Sequence, residues 1–203
     1  MNNIFQLLEN EIKFKWDPEE LTKNFKVVSN VNGNVISLPG GAYWQYYTSG
    51  IYFTRNFYKS FPEICEEIAH LLIQLQNKYC TLTDSSYLVN LFVNHKINID
   101  NITLIKVVSG KSVDLHFDRT RSFAVNIGLK NSNTCLTHIY SGKKVVGTLI
   151  NEENVKHTLR MNDGDVYILE VNQPHAVESL SNINDHKDRY LISYSFKTPA
   201  GIL

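Results

Sequence analysis

Two histidines and one aspartate in the second half of the chain have the types and spacing of metal ligands. His116 and Asp118 are two residues apart, and His175 follows Pro174. Alternate residues of an extended chain point to the same face, so His116 and Asp118 can bind one metal ion side by side. The restricted backbone of Pro174 favours a fixed position for His175. Two imidazoles and one carboxylate are typical of Fe(II) sites with open coordination positions, whereas structural zinc sites prefer four closed ligands.

An arginine stands at the start of the last strand that the sequence predicts. Arg189 is followed mainly by apolar and aromatic residues, including Tyr190 and Leu191, which favours its burial. A buried guanidinium is costly unless a carboxylate meets it. A bound dicarboxylate, an internal Asp or Glu, and an outward orientation of the arginine are all open on these grounds.

Ten short segments that are typical of β-strands must position these residues. Turn residues separate most of them and no helix is expected between them, which favours an antiparallel sandwich or barrel. The segments are 86–93, 102–108, 112–117, 123–129, 136–140, 144–149, 155–160, 165–171, 174–178 and 188–196. On the strand 136–140, His138 and Tyr140 share one face, which can be the barrel interior.

The first eighty residues differ from the rest of the chain in the elements that their sequence predicts. Apolar spacing predicts helices over 4–14, 18–24 and 62–79, and a hairpin is expected around Asn32-Gly33-Asn34. The aromatic segment 39–47 is a candidate substrate lid or an apolar cluster on the exterior. We therefore predict a single α+β domain over 1–203, in which residues 1–80 form a helical and aromatic support packed on one outer face of a β core.

The composition narrows the classes of partner and compartment. Twenty Lys and Arg residues balance twenty Asp and Glu residues, so no basic excess favours nucleic-acid binding. Apolar runs are too short for a membrane span. Three widely spaced cysteines predict neither a disulfide framework nor a CxxC metal site. These features predict a cytoplasmic protein without a nucleic-acid or membrane partner, and they do not indicate an oligomeric state.

Taken in chain order, these residues resemble those of the 2-oxoglutarate/Fe(II)-dependent oxygenase superfamily. The likeness rests on His116-Phe117-Asp118, Pro174-His175 and Arg189-Tyr190, joined by the runs FAVNIGL and NDGDVYILEVNQPHAVES. It spans 86–197, about half of the chain. The resemblance implies a double-stranded β-helix (jelly-roll) as the catalytic core over 86–197. It also implies His116, Asp118 and His175 as iron ligands, and Arg189 as the partner of the distal carboxylate of 2-oxoglutarate.

The resemblance also implies an activity. The expected enzyme is a dioxygenase that hydroxylates an amino acid, a peptide or protein side chain, or a small metabolite, while 2-oxoglutarate becomes succinate and CO2. Its implied cofactor is Fe(II), its cosubstrates are 2-oxoglutarate and O2, and ascorbate is an expected stimulant of turnover.

The pattern departs from that of many members two residues after the arginine, where a serine is replaced by Leu191. Thr137 and Tyr140 are the candidates for supplying a hydroxyl to 2-oxoglutarate instead. Asn126, in the strand after the His-x-Asp pair, is a further candidate contact for the cosubstrate carboxylate. Arg121 follows the same pair and can contact an anionic substrate or lie in solvent, and Arg119 has the same two options.

Two other functions stay open. Gly110 precedes His116 by six positions, which resembles the start of a cupin motif, although Asp118 replaces the second histidine of that motif. The chain can therefore be a cupin-type metalloenzyme that does not use 2-oxoglutarate. It can also be a non-catalytic jelly-roll protein whose polar residues bind a sugar or peptide.

Overall fold

A computed structural model of the chain describes residues 5–29, 41–48, 50–82, 86–118, 121–140 and 155–196. In these ranges the α-helices are α1 (Pro18–Thr22), α2 (Phe57–Ser60), α3 (Pro62–Cys80) and α4 (Tyr87–Val93). The strands are β1 (Phe5–Glu9), β2 (Val27–Ser29), β3 (Tyr43–Thr48), β4 (Ile51–Arg55), β5 (Ile102–Val107), β6 (Val113–His116), β7 (Phe123–Lys130), β8 (Cys135–Tyr140), β9 (Val155–Arg160), β10 (Val166–Glu170), β11 (His175–Ser179) and β12 (Arg189–Phe196).

The last eight strands pair in a nested order. β5 pairs with β12, β6 with β11, β7 with β10, and β8 with β9, and all four pairs are antiparallel. Chain segments therefore fold back on one another as one long double ribbon that is wound into two facing sheets, which is the topology of a jelly roll. The expected β-rich core of two sheets is confirmed.

The two sheets differ in size because the first part of the chain extends only one of them. In the described ranges, the large sheet has the order β1-β10-β7-β12-β5-β4-β3-β2 and the small sheet has the order β6-β11-β8-β9. β1 adds to β10 at one edge, while β4, β3 and β2 add beyond β5 at the other. The N-terminal segments are thus part of the same sheet as the core strands.

The side chains on the two faces of the large sheet belong to different buried clusters. Side chains of α3 and α4, such as Ile68 and Phe92, share one buried cluster with Ile192 and Tyr194 of β12. The alternate residue Leu191 belongs to a separate buried cluster that includes side chains from both sheets. Strand alternation therefore separates the β12 residues that cluster with α3 and α4 from those that cluster with the small sheet.

Several predicted elements are confirmed and two are wrong. Helices at 18–24 and 62–79 are present as α1 and α3, and the eight strands predicted over 102–140 and 155–196 are present as β5–β12. The segment 4–14 contains β1 rather than a helix, because it pairs with the edge strand β10, and Glu11 has a left-handed φ of 61° that a helix does not continue through.

The segment 86–93 forms α4 rather than a strand. A short apolar run does not by itself distinguish a buried helix from a buried strand. Here the side chain of Ser86 caps the helix by accepting a hydrogen bond from the amide of Val89. Leu88, Val89 and Phe92 are then buried together against the rest of the core.

Three predicted features fall outside the described residues. They are the hairpin around Asn32-Gly33-Asn34, the strand at 144–149 and the contact through Arg119.

Within the ranges given above, no helix combines the length and the apolar character that crossing a membrane requires.

His95, just after α4, provides a test of the packing between the helices and the sheet. Its ring stacks on Phe196 at a centroid distance of 4.7 Å, and burial lowers its pKa. Its Nε2 atom is buried without a hydrogen-bond partner among the described residues. We expect His95→Phe to raise the free energy of unfolding by about 1 kcal/mol at pH 7, because it removes an unpaired polar atom.

The increase in the free energy of unfolding caused by His95→Phe should become larger below pH 6.5, which is roughly the pKa of an unfolded histidine. The unfolded wild-type chain then binds a proton that the folded chain resists, so wild-type stability falls as the pH falls. Urea unfolding at pH 7 and pH 5 measures this difference. His70→Phe, at an exposed position of α3, is the control. Equal pH slopes for wild type and His95→Phe would contradict the expectation.

Candidate functional site

Two of the predicted ligands, His116 and His175, lie side by side. His116 ends β6, His175 begins β11, and the two residues are directly opposite in the antiparallel pairing of these strands. The centroids of their rings are 4.3 Å apart. The nested pairing of the jelly roll therefore brings together two imidazoles that are distant in the sequence.

Both imidazoles are held in the same way. His116 Nδ1 is 2.8 Å from the carbonyl oxygen of Asp114, and His175 Nδ1 is 2.8 Å from that of Gln173. A carbonyl oxygen only accepts, so each Nδ1 must carry a hydrogen, and in the neutral ring the lone pair is then on Nε2. This second contact fixes the tautomer and ring orientation in metal-binding histidines.

His175 is neutral at physiological pH. Burial, and then the proximity of His116, lower its pKa to about 4, against the opposing effects of the Gln173 carbonyl and of Asp118. The neutral imidazole is the form that binds a metal ion.

A cavity of about 100 Å³ lies between the two sheets beside these rings. Its polar lining residues are His116, Arg121, Asn126, Thr137, Glu170, His175, Arg189 and Ser193. Side chains such as Ile105, Val107 and Ile139 form apolar parts of the wall. The wall thus encloses a few polar groups in apolar surroundings, which is typical of small-molecule sites.

Arg189 is buried in this cavity without a carboxylate partner among the described residues. It is 5% exposed, and its Nε hydrogen bonds to no described group. Nη2 lies 3.6 Å from the sulfur of Met161. Burial lowers the pKa of the guanidinium, and this is opposed by the charge of the Cys135 thiol, by a hydrogen bond with it and by the charge of Asp163. An unpaired buried guanidinium is destabilising, so an anion that enters the cavity gains a strong partner.

Thr137 and Asn126 lie on the cavity wall as predicted contacts for a cosubstrate. Thr137 pairs with Val177, two residues along β11 from His175, which sets it about 7 Å along the strand direction from the imidazoles. Asn126 lies opposite Ser193 in the large sheet, and its Oδ1 is buried without a hydrogen-bond partner in the described ranges. Polar groups therefore extend from the histidine pair into the cavity.

Asp118, the third predicted ligand, has another partner. Its carboxylate Oδ2 accepts a hydrogen bond of 2.8 Å from Nε of Arg121, and its backbone amide donates to Val171. Among the described residues, no three His, Cys, Asp or Glu side chains converge to hold a metal ion. The structure thus brings two of the three predicted ligands together and pairs the third with an arginine.

Tyr140 lies on the wrong side of β8 for its predicted role. Thr137 and Ile139 line the cavity, whereas Tyr140 and His138 line a groove on the other face of the strand. Strand alternation explains the difference, because residues 138 and 140 share a face that 137 and 139 do not. The prediction of Tyr140 as a cosubstrate contact is therefore wrong, and His138 does not face the interior.

His138 has its own partners on that outer face. Its Nε2 is 2.8 Å from a carboxylate oxygen of Glu178, and its Nδ1 is 3.0 Å from the hydroxyl of Thr158. We expect His138→Gln to leave the affinity for Co(II) within about two-fold of wild type, because the ring lies outside the cavity. Calorimetric titration with Co(II) measures this, and a loss of binding comparable to that of a His175 variant would move the site to the outer face.

The sequence did not predict two parts of the cavity wall. Ser193 could have been predicted from the sequence, because strand alternation places residues 191 and 193 on the same face as Arg189. Phe53 of β4 had no signal, because its position depends on the pairing of β4 with β5.

These residues fit a metal ion bound together with a short dicarboxylate. The hydrogen bonds at Nδ1 fix the orientation of both rings and therefore of their Nε2 atoms. The unpaired Nε of Arg189 can donate a hydrogen bond to an anion in the same cavity. Asp118 Oδ2 is occupied by Arg121, and Oδ1 accepts no hydrogen bond from a described residue. A set of two imidazoles and one carboxylate suits Fe(II).

No family model matches this chain, and no curated protein matches it. Among solved structures, the ribosomal oxygenase YcfD from Escherichia coli is similar with 12% identity over 74% of this chain and 32% of that chain, at a TM-score of 0.42. A conserved protein of unknown function from Streptococcus pyogenes has 16% identity over 49% of this chain and 65% of that chain, at a TM-score of 0.33.

An oxalate decarboxylase mutant from Bacillus subtilis has 14% identity over 49% of this chain and 22% of that chain, at a TM-score of 0.34. The similar part covers less than two thirds of each of these three chains. Structural similarities with identities and TM-scores this low do not indicate an activity for this chain.

Proposed function

We propose that the chain is an Fe(II)- and 2-oxoglutarate-dependent dioxygenase that hydroxylates an amino acid, a peptide or protein side chain, or a small metabolite. Its metal ligands are His116 and His175 through Nε2 and Asp118 through Oδ1. Arg189 binds the distal carboxylate of 2-oxoglutarate. When bound, Fe(II) supplies O2 activation coupled to the decarboxylation of 2-oxoglutarate to succinate and CO2.

One observation carries this proposal above the others. A buried arginine without a carboxylate partner among the described residues lines the same cavity as two imidazoles whose Nε2 atoms are free. A metal ion alone gives no reason for this arginine, and a sugar-binding site gives no reason for the paired tautomers. A metal and a dicarboxylate together account for both features.

The chain's own residues have separate tasks in this proposal. Arg189 neutralises the distal carboxylate, and Thr137 donates a hydroxyl hydrogen bond to the same group in place of the serine that Leu191 replaces. Asn126 is proposed to contact the cosubstrate from the large sheet. The apolar wall excludes water, which strengthens these charged contacts.

The N-terminal residues are proposed to support this core. The cluster shared by α3 and the large sheet supports a role for the helical part of residues 1–80 as a brace on one outer face of the core over 86–197, while β1–β4 of the same segment extend the large sheet. This brace keeps β12, which carries Arg189, in a fixed position.

Cosubstrate binding without oxygen tests the proposal. Protein loaded with Fe(II) anaerobically should develop a weak visible charge-transfer band on addition of 2-oxoglutarate, and admission of O2 should then release succinate. Metal binding without 2-oxoglutarate binding would favour a cupin-type metalloenzyme instead. Binding of neither would favour a non-catalytic jelly-roll protein. His138→Gln, altered outside the cavity, is the matched control.

A further inference from the structure

The cavity is lined by a second arginine that a dicarboxylate does not require. Arg121 precedes β7 and lines the wall together with Arg189, His116 and His175. Its side chain is only 20% exposed. One guanidinium suffices for the distal carboxylate of 2-oxoglutarate, so Arg121 is available for another ligand.

The contacts of Arg121 fix part of its guanidinium and leave another part open. Nε donates to Asp118 Oδ2 at 2.8 Å, and Nη1 donates to the hydroxyls of Ser193 and Ser195 at 3.2 Å each. The guanidinium carbon lies 5.8 Å from the centre of the Phe53 ring. Nη2 has no hydrogen-bond partner in the described part of the chain. The guanidinium is therefore held in place, and its Nη2 hydrogens are available to a ligand.

We propose that Arg121 binds a carboxylate of the substrate, which makes the substrate an organic acid. This inference rests on the proposed oxygenase function and narrows its substrate class. A planar guanidinium suits a carboxylate through paired hydrogen bonds. Phe53 and Ile51 of β4, which line the same cavity, offer apolar contact to the carbon part of such an acid. A cavity of about 100 Å³ admits only a small molecule or the end of a larger one.

Asp118 couples this site to the metal. Without a metal ion, the Asp118 carboxylate neutralises Arg121 and repels a second carboxylate beside it. A divalent cation bound at Oδ1 neutralises the negative charge of Asp118. The Arg121 guanidinium then attracts an external anion more strongly. Metal and anion should consequently strengthen each other's binding, and the factor must be the same in both directions.

Trifluoroacetate is the probe for the test, followed by fluorine NMR. The protein is loaded with Zn(II) and saturated with 2-oxoglutarate to occupy Arg189, and the binding of both is measured first by calorimetry. Trifluoroacetate is then titrated at constant ionic strength. We expect one saturable site in wild type, at least about ten-fold weaker binding in Arg121→Gln, and about ten-fold weaker binding in wild type without Zn(II).

Two further variants complete the design. Arg160→Gln, on the outer side of β9, should bind trifluoroacetate as wild type does. Arg121→Lys keeps the charge but lacks the planar fork, so it should bind more weakly than wild type even if Arg121→Gln fails to fold.

The outcomes are distinct. Equal trifluoroacetate binding by wild type and the Arg121 variants would overturn the inference, because the anion would then sit on the metal or elsewhere. Absence of a saturable site in wild type loaded with Zn(II) and 2-oxoglutarate would overturn it as well. Failure of wild type to bind Zn(II) and 2-oxoglutarate at the calorimetric stage would instead remove the proposed function, and this inference with it.

Discussion

His175→Ala is expected to lower the affinity for Fe(II) or Co(II) by at least about 100-fold and to abolish succinate formation. Loss of an outer partner of a metal ligand already costs about 10- to 100-fold, and loss of the ligand itself should exceed that. The backbone of β11 stays in place, because the pairing of β11 with β8 uses main-chain groups. His116→Ala should have the same effect, since the two rings are 4.3 Å apart and are proposed to bind one ion.

Calorimetric titration of Co(II) measures both variants, and circular dichroism confirms that they fold. His138→Ala serves as the matched control, because it removes an imidazole from the other face of the same sheet. Undiminished Co(II) binding in His175→Ala would show that the imidazole pair is not a metal site.

Arg189→Met is expected to have two opposite effects. Affinity for 2-oxoglutarate should fall by about 100-fold or more, because removal of one partner of a buried charged contact costs 2–5 kcal/mol. The free energy of unfolding of the ligand-free protein should rise by about 1–3 kcal/mol, because an unpaired buried guanidinium is replaced by an apolar side chain of similar length. The new side chain would pack near the sulfur of Met161.

The sign of the stability change separates a ligand site from a structural ion pair. Breaking an internal ion pair would destabilise the protein, whereas relief of an unpaired charge stabilises it. Urea unfolding without ligand and 2-oxoglutarate titration of the Zn(II)-loaded protein measure the two effects. Arg160→Met, at an exposed position that donates to the Asn133 carbonyl, should change neither. A destabilised Arg189→Met protein with normal 2-oxoglutarate affinity would refute the proposed role.

Several kinds of sequence signal predicted parts of the fold and of the cavity wall. The alternation of side chains along a strand is local, so the spacing of His116 and Asp118, and of His138 and Tyr140, predicted which residues share a face. Turn residues marked the boundaries of the core strands, and the apolar spacing of 62–79 predicted α3. The burial of Arg189 followed from its apolar neighbours.

Other features needed the pairing of distant segments. The face of β8 that turns inward depends on how β8 packs against the large sheet, and this decided between Thr137 and Tyr140. The segment 4–14 became β1 because a sheet edge offered backbone partners, which its own periodicity does not encode.

The chemical types of the candidate ligands, and the two-residue period that predicts His116 and Asp118 on one face, can be read from the chain alone, because covalent spacing and strand geometry are local. The folded chain was needed to show that His116 meets His175, that Asp118 pairs with Arg121, and that Arg189 Nε is buried without a hydrogen-bond partner among the described residues. Those outcomes depend on which strands pair and pack, and that choice is made by the free energy of the whole fold rather than by any one segment.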